Sequence, residues 1–276
     1  MLNTFSHCPQ KYKLIYIDRI RKKEESIEAF LGKVVHQVLE WLYSSKNIKR
    51  TIMLDEIISK YKEIWLNRWH GDIMVYAKQN TSVKANSIKG KVYKEGIDCL
   101  VNYWNRYGPK FYEVDKQNEL AIENMELEKK YTSKIAGYNF IGIVDRMSFD
   151  NDVITITDYK TTKRSKTERQ AKTDLQMGIY YKLIKENLNA RKIFLCLIYL
   201  RGLKQIDFEI SSKDYNKIEN KIKNLMDKIL LEEEKFNRNK NDKERYRPNE
   251  GFLCNWCYYW QECDIKKTDN PSLKVI

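Results

Sequence analysis

Two β-rich runs joined by a two-residue turn constrain this chain more than any other feature of its sequence. The stretch 138–159 alternates or runs β-rich, and Asn151-Asp152 in its middle tolerates the left-handed dihedrals of a tight turn. A two-residue turn sets the register of a hairpin, and facing residues share one face of the sheet. The shared face is predicted to contain Ile143, Asp145, Met147 and Phe149 on the first strand, opposite Lys160, Asp158, Ile156 and Ile154 on the second.

This predicted face is apolar near the turn and ends in two carboxylates and an ammonium. Asp145 and Asp158 would repel each other unless a cation lies between them. Carboxylates and a backbone carbonyl are the ligands that Mg²⁺ or Mn²⁺ prefers. Lys160 lies on the same face, where it would orient a water or stabilise charge on a phosphoryl group. The pattern therefore predicts phosphodiester hydrolysis; the alternative is a surface cluster of charges at a strand end.

The other periodicities predict helices first and then strands separated by a helix, which indicates a mixed α/β core with a helical insertion. The stretch 71–86 shows no periodicity, and no element is predicted there. The predicted helices are 26–43, 52–69, 88–107, 168–186 and 215–236, and the further predicted strands are 119–131, 192–200 and 205–210.

Two of these helices carry polar residues at one-turn spacing. Gly32 and His36 are four residues apart on the first helix, and Gln176 and Tyr180 repeat that spacing on the helix after the hairpin. A small residue one turn before a histidine would allow close approach of another backbone or of a substrate. A structural histidine and an ordinary helix flank are the alternatives.

An excess of basic residues predicts a polyanionic partner, of which nucleic acid is the commonest. Lysine and arginine number 51 against 38 aspartates and glutamates, a net charge of +13. Part of this excess lies in the stretch 160–172, which contains Lys163, Arg164 and Lys166 beside the suspected site. The alternative, a lysine-rich composition from genomic nucleotide bias, would scatter the lysines evenly.

No apolar run approaches the roughly 20 residues of a membrane helix, and the first residues do not form a signal peptide. A cytoplasmic protein without a membrane partner is therefore expected. In such a compartment a disulfide framework is not expected for the six cysteines. Cys99 and Cys196 lie in apolar patterns and are predicted to be buried, which leaves Cys8, Cys254, Cys257 and Cys263.

Four motifs in order resemble the RecB-like branch of the PD-(D/E)XK nuclease superfamily. They are Gly32-x-x-x-His36, Gly142-Ile143-Val144-Asp145-Arg146, Asp158-Tyr159-Lys160-Thr161 and Gln176-x-x-x-Tyr180. The resemblance implies a restriction-endonuclease-like α/β core, in which helices flank a mixed central sheet. The second acidic residue is an aspartate here, where many members of the superfamily have glutamate.

The resemblance also implies roles for the motif residues. His36, Asp145 and Asp158 would ligate Mg²⁺ or Mn²⁺, assisted by the backbone carbonyl of Tyr159. Lys160 would be the catalytic lysine, so that the implied catalytic set is His36, Asp145, Asp158 and Lys160. Gln176 and Tyr180 would help to position DNA, together with the basic residues Lys163, Arg164 and Lys166.

One early cysteine and three late ones extend the resemblance. Cys8 and the run Cys254-x-x-Cys257-x5-Cys263 are similar to the ligands of members that bind a [4Fe-4S] cluster, namely AddB-type nuclease domains and CRISPR-associated RecB-like exonucleases. A cluster there would tie two distant parts of the chain together and favour the folded state. A structural Zn²⁺ ion on the same four cysteines is the alternative, although this spacing differs from the two-plus-two pattern of zinc ribbons.

The implied organisation is one integrated nuclease domain with four segments: 1–47 with the first cluster ligand and first core helix, 48–118 as a helical insertion, 119–236 as the nuclease core, and 237–276 as the iron–sulfur segment. The predicted function is a metal-dependent DNA nuclease, an exonuclease or end-processing enzyme for single-stranded DNA or DNA ends. The alternatives are a DNA-binding or assembly module of a CRISPR-adaptation or repair complex with subordinate or lost catalysis, and a zinc-stabilised adaptor without nuclease activity.

Overall fold

The computed structural model describes residues 1–44, 47, 52–76, 82–117, 125–240, 242, 244–266 and 268–274. The chain divides into two compact units, each assembled from separate segments. The first unit comprises Met1–Phe30, Trp69–Val92 and Lys221–Ile276, and the second comprises Leu31–Arg68 and Tyr93–Asn220.

The described elements include the helices and strands that the sequence predicts, together with short elements that it does not predict. The helices are α1 (Leu2–His7), α2 (Pro9–Tyr12), α3 (Ile27–Leu42), α4 (Leu54–Arg68), α5 (Ser82–Gln117), α6 (Glu168–Ala171), α7 (Leu175–Asn187) and α8 (Ser212–Arg238), with a π-helical turn at Lys13–Ile17 and a 3-10 turn at Phe252–Trp256. The strands are β1 (Glu25–Ser26), β2 (Ile73–Tyr76), β3 (Met125–Ile135), β4 (Tyr138–Asp150), β5 (Val153–Lys160), β6 (Lys192–Tyr199), β7 (Lys204–Phe208) and β8 (Ser272–Lys274).

The second unit is built on a five-stranded sheet of order β3-β4-β5-β6-β7. Only β5 and β6 pair in parallel; the other neighbours are antiparallel. A parallel pair needs a crossover connection, which α6 and α7 supply. Strands β5 and β6 are mostly buried, and β6 has the continuous apolar run of a strand that is covered on both faces. The predicted mixed α/β core is therefore confirmed.

The predicted hairpin register is confirmed over its apolar part. Asp150 pairs with Val153 around Asn151, whose φ of 52° is left-handed, and Met147 faces Ile156. The described ladder between β4 and β5 ends at Arg146 and Thr157, so the two aspartates one step further along do not pair directly.

Ile143 does not lie on the core face, and that prediction is wrong. Its side chain is 48% exposed, whereas Gly142 and Val144 on either side of it are buried. Beyond the end of the β4–β5 ladder, β4 pairs with β3 alone, and a different set of its side chains faces inward. The prediction assumed that one set of alternate side chains faces the core along the whole of β4. That set faces the core only where β4 pairs with both β3 and β5.

The helix predictions succeed where apolar periodicity and capping agree. Helix α3 begins after Ser26, whose hydroxyl accepts the Ala29 N–H at 3.2 Å. The predicted helix 168–186 is two helices, because Asp174 has extended backbone and caps a new helix by accepting the Met177 N–H. Helix α5 exceeds its prediction at both ends.

The first unit contains a small sheet of order β1-β2-β8, parallel between β1 and β2 and antiparallel between β2 and β8. Strand β2 lies inside the stretch 71–86, where no element was expected, while residues 77–81 of that stretch lie outside the described residues. A strand of four residues is too short to show a clear period. Within the described part of the chain, no helix combines the length and apolar character that crossing a membrane requires.

Candidate active site

Helix α3 carries His36 to the end of β5. Both imidazole nitrogens face acceptors: Nε2 lies 2.9 Å from the carbonyl oxygen of Tyr159, and Nδ1 lies 3.3 Å from Oδ2 of Asp145. Gly32, one turn earlier, leaves room for Thr161, whose Oγ1 would lie 3.4 Å from a Cβ at that position. The doubly protonated ring satisfies both contacts, and a metal ion bound by His36 would replace one of its protons.

Asp145 is held by the strand that faces it. Its Oδ2 accepts the backbone N–H of Tyr159 at 3.0 Å, so this side chain takes up an amide where the β4–β5 ladder has ended. Burial opposes protonation of His36, but the hydrogen bond and negative charge of Asp145 outweigh it and raise the pKa of the imidazole. In the absence of a metal ion, the charge of Asp145 thus favours the protonated form of His36.

Asp158 is the most deeply buried charged group of this site, with 1% of its side chain exposed. Oδ1 accepts a hydrogen bond from the amide of Gln176 at 3.0 Å. Oδ2 lies 2.6 Å from the ammonium of Lys160, with which it forms an ion pair. Burial raises the pKa of Asp158 to about 6; the ammonium of Lys160 lowers it and the charge of Asp145 raises it. A buried carboxylate beside a second carboxylate suits a hard cation.

Helix α7 supplies the residue that holds this pair in place. Oε1 of Gln176 accepts a hydrogen bond from Lys160 at 2.8 Å, and its amide also donates to the Tyr180 hydroxyl at 2.9 Å. Tyr180 is buried and packs against β4, where a Cβ on Gly142 would lie 3.2 Å from its ring. The structure therefore places both motif residues in the network behind Lys160, and their contact with DNA stays a prediction.

Glu128 joins this group of residues, and sequence reasoning missed it. Its carboxylate, the imidazole of His36 and the carboxylate of Asp145 have ligand atoms within 4.8 Å of one another. Glu128 is exposed to solvent, yet partial burial and then the charge of Asp145 raise its pKa. The register of the β3–β4 hairpin could have identified Glu128. The turn Ala136-Gly137, with φ of 52° and 86°, aligns β3 with β4 and sets Glu128 level with Asp145.

Behind β5 lies a buried cluster of one arginine and three tyrosines. The guanidinium of Arg146 donates to the Tyr103 hydroxyl at 3.4 Å and to Oγ1 of Thr157 at 3.2 Å. It also lies 4.5 Å from the ring centre of Tyr43. The hydroxyls of Tyr43 and Tyr103 are hydrogen bonded, and that of Tyr103 lies 3.3 Å from the hydroxyl of Tyr159. This cluster anchors the side chain of Tyr159, whose backbone contacts His36 and Asp145.

The predicted DNA-binding lysines and arginine lie in the segment directly after β5. Lys163 and Arg164 are exposed, and Lys163 reaches Glu95 at 3.4 Å. Lys166 is ion paired with Asp174, the residue that caps α7. A cationic segment thus begins three residues after Lys160.

In the first unit, Cys8, Cys254, Cys257 and Cys263 are free thiols of intermediate exposure, whereas Cys99 and Cys196 in the second unit are buried as predicted. Burial raises the pKa of Cys257, the charge of Lys11 lowers it, and the negative charges of Cys8 and Cys254 raise it. The Cys263 thiol donates to Gln10 at 3.2 Å, and burial and the charge of Cys8 raise its pKa. Electrostatic influence thus links Cys257 with Cys8 and Cys254, and links Cys263 with Cys8.

A mixed sheet that brings a buried aspartate, a second aspartate, a histidine and a lysine together at the ends of two strands indicates a metal-dependent hydrolase. Comparison with protein families gives the particular class. The model of the PD-(D/E)XK nuclease superfamily matches residues 1–264, and the chain belongs to that superfamily. The predicted fold is thereby confirmed, and the chain is a nuclease by class. Its place in the RecB-like branch and among iron–sulfur members stays a prediction.

Two solved structures resemble the chain along most of its length. The protein named SSO0001 is 16% identical, with 97% of this chain and 98% of that chain covered and a TM-score of 0.34. The protein from Eubacterium rectale named "Putative exonuclease" is 12% identical, with 92% and 93% covered and a TM-score of 0.34. At these TM-scores neither structure carries an argument about this chain. A search of the curated proteins finds no match.

Proposed function

We propose that this chain is a metal-dependent exonuclease or end-processing nuclease that hydrolyses phosphodiester bonds of single-stranded DNA or DNA ends. The observation that supports this most directly is Asp158, a carboxylate that is 1% exposed and lies 2.6 Å from the ammonium of Lys160. A charge buried to that extent needs a counter-charge. The ammonium of Lys160 supplies that counter-charge in the metal-free protein. A divalent ion would also offset the charge of the neighbouring Asp145.

In this proposal His36, Asp145, Asp158 and the Tyr159 carbonyl hold Mg²⁺ or Mn²⁺. The donors are mostly hard oxygens, which fits these ions. A bound ion supplies Lewis acidity toward the phosphoryl group and a more acidic water. Lys160 remains near enough to Asp158 to stabilise negative charge that develops on the phosphoryl oxygens, and Gln176 keeps its ammonium in position.

The cationic segment after β5 supports DNA as the substrate. Exposed lysine and arginine side chains neutralise phosphates without reading sequence, which suits an enzyme that follows a DNA strand. Lys163, Arg164 and Lys166 are proposed to guide the backbone toward Lys160. Gln176 and Tyr180 are proposed to act on DNA placement through Lys160, to which Gln176 is hydrogen bonded.

The decisive experiment uses purified protein, Mn²⁺ and single-stranded DNA carrying a label at one end. We expect shortened products from the wild type and from Asp152→Asn, a control in the hairpin turn, and none from Asp158→Asn. Substrates blocked at the 5′ or the 3′ end then give the polarity. Equal cleavage by Asp158→Asn would contradict the proposal. Salt-sensitive DNA binding without cleavage under either metal ion would favour an assembly module of a CRISPR-adaptation or repair complex instead.

We further propose that Cys8, Cys254, Cys257 and Cys263 hold a [4Fe-4S] cluster, with Zn²⁺ as the alternative. The four free thiols belong to one unit, Cys8 influences both Cys257 and Cys263, and the charge of Lys11 acts on Cys257. Thiolate ligands concentrate negative charge, and a nearby ammonium offsets part of it.

Colour and metal content test this cofactor. We expect protein purified without oxygen to be brown and to contain iron and sulfide, and Cys257→Ala to lose both. Cys99→Ala, which removes a buried cysteine of the other unit, should keep them. Colourless protein with one equivalent of zinc would instead establish the alternative.

A further inference from the structure

We propose that Glu128 is an additional ligand of the divalent ion in this site, an inference that rests on the proposed nuclease function. Its carboxylate oxygen, a nitrogen of His36 and a carboxylate oxygen of Asp145 lie within 4.8 Å of one another. An ion with ligand bonds of about 2 Å draws its ligand atoms to within about 4 Å of each other. Small side-chain movements therefore close this set around an ion.

The backbone of β3 brings Glu128 to this point. Leu127 pairs with Arg146 and Lys129 pairs with Val144, so Glu128 stands level with Asp145, although these two residues form no ladder pair. Glu128 has a left-handed φ of 46° inside a strand whose register continues unchanged on both sides. The departure from extended geometry is confined to the residue that meets the site.

The charges around the site leave Glu128 as the carboxylate without a partner. Asp158 has the ammonium of Lys160 at 2.6 Å, and Asp145 has the imidazole of His36 at 3.3 Å. Within the described residues, the carboxylate of Glu128 makes no hydrogen bond and no ion pair. Three carboxylates thus share one imidazole and one ammonium, and an ion held by Glu128 would supply the missing positive charge.

The buried carboxylate of Asp158 is a second feature, independent of Glu128, that favours an ion here. It is 1% exposed, and its Oδ2 lies 2.6 Å from the ammonium of Lys160. The charges of Asp145 and His36 both act on Asp158, so it belongs to the same charged group. The proposed assignment makes Glu128 the exposed ligand and Asp158 the buried one.

Mn²⁺ binding without DNA tests the assignment, measured by calorimetry and by the electron paramagnetic resonance signal of free Mn²⁺. Glu128→Gln removes the charge and the ligand; Glu128→Asp keeps the charge but shortens the side chain. Glu40→Gln is the matched control, because Glu40 contributes negative charge near Glu128 from α3 and lies outside the group of candidate ligands.

We expect Glu128→Gln to weaken Mn²⁺ binding about tenfold or more, Glu128→Asp to weaken it to an intermediate extent, and Glu40→Gln to change it by less than about threefold. Wild-type affinity in Glu128→Gln overturns the proposal, and so does equal weakening in Glu128→Gln and Glu40→Gln, which would show a field effect. Asp145→Asn separates the two proposals: if it too binds Mn²⁺ normally, the metal site of the proposed nuclease is itself wrong. Unchanged circular dichroism shows that each variant is folded.

Discussion

Each aspartate of this site lies beside a residue of opposite charge that the fold brings to it. The ammonium of Lys160 offsets Asp158, and the imidazole of His36 offsets Asp145. A divalent ion at the proposed site would weaken each pair, because it would repel the ammonium and compete with the proton on the imidazole. In this proposal, the metal-free protein holds the proposed ligands in place with groups that metal binding would release.

Lys160 is expected to act on the reaction more than on metal binding. We predict that Lys160→Met lowers kcat about 100-fold or more, because one positioned charge on a phosphoryl group contributes an effect of that order. Mn²⁺ affinity should be unchanged or higher, since a nearby cation has been removed. Single-turnover cleavage and calorimetry measure the two quantities.

Lys163→Met serves as the control for Lys160→Met, since it removes an ammonium three residues away that is exposed and reaches Glu95. It should weaken DNA binding and leave kcat near that of the wild type. If Lys160→Met and Lys163→Met lower kcat equally, Lys160 has no special role.

The response of the protein to metal should depend on pH. Burial raises the pKa of Asp158 from 3.8 to about 6. The metal-free fold therefore loses stability as the pH rises through that interval, because the buried acid must ionise. His36 also has a raised pKa, mainly through Asp145 acting against burial, and its stabilising contribution is present at low pH and lost as the pH rises through the folded value. Mn²⁺ binds the ionised carboxylate and the neutral imidazole, and it should reverse both effects.

We therefore predict that Mn²⁺ raises the melting temperature more at about pH 8 than at about pH 5. Thermal unfolding with Mn²⁺ and with a chelator at each pH measures this difference. Asp145→Asn should abolish most of the pH-dependent rise. A rise of the same size at both values of pH would be inconsistent with proton competition at this site.

Among the elements, β5 organises both sides of the site through alternation. Asp158 and Lys160 point to the site, while the intervening Tyr159 side chain packs into the Arg146 cluster and its backbone contacts His36 and Asp145. Alternate residues of a strand face opposite ways, so one strand can anchor itself on one face and present ligands on the other. The apolar and aromatic packing of β5 thus positions its polar end.

Strand β4 and helix α7 approach closely at Gly142, which gives a test at the level of elements. A Cβ there would lie 2.5 Å from Cδ1 of Leu183. We predict that Gly142→Ala destabilises the fold by about 1–3 kcal/mol through overpacking, and lowers activity because α7 also carries Gln176. Urea unfolding and single-turnover cleavage measure the two effects.

Gly90→Ala is the matched control for Gly142→Ala. Gly90 lies within α5, and a Cβ there meets nothing within 4 Å. Alanine is the better helix former, so this change should stabilise the protein by up to about 1 kcal/mol. A stable and fully active Gly142→Ala would show that α7 tolerates a shift at this contact.

For the whole molecule, the net charge of +13 predicts DNA binding that weakens steeply with salt. Substituting Lys163 and Arg164 together by alanine should reduce the slope of log affinity against log salt by about 1–2, since each phosphate contact releases about one counterion. Fluorescence anisotropy with single-stranded DNA at several salt concentrations measures the slope. Removal of two exposed charges on α8, by Lys217→Ala and Lys228→Ala, lowers the net charge equally and distinguishes a local path from the overall charge. If both pairs of substitutions change the slope equally, the segment after β5 has no particular role.

Much of the second unit follows from neighbours in sequence. The Asn151 turn and the β-rich runs beside it predict the hairpin, because turn dihedrals and strand alternation are local preferences. Helix α3 is predicted within a residue or two for the same reason, since an apolar period and a serine cap act over short distances. The motif residues of β5 could be identified before any contact was known, and their roles stay predictions.

The geometry of the site was decided only by the tertiary structure, because it depends on side chains that are distant in sequence. The end of the β4–β5 ladder, where the Asp145 side chain accepts the Tyr159 N–H, exposes Ile143 and separates the two aspartates. Likewise, only packing of α7 brings Gln176 to Lys160, and only the β3–β4 register brings Glu128 to His36. Local propensity sets where strands and helices form; the distances between their charged ends are set by how those elements pack, which no short stretch of sequence specifies.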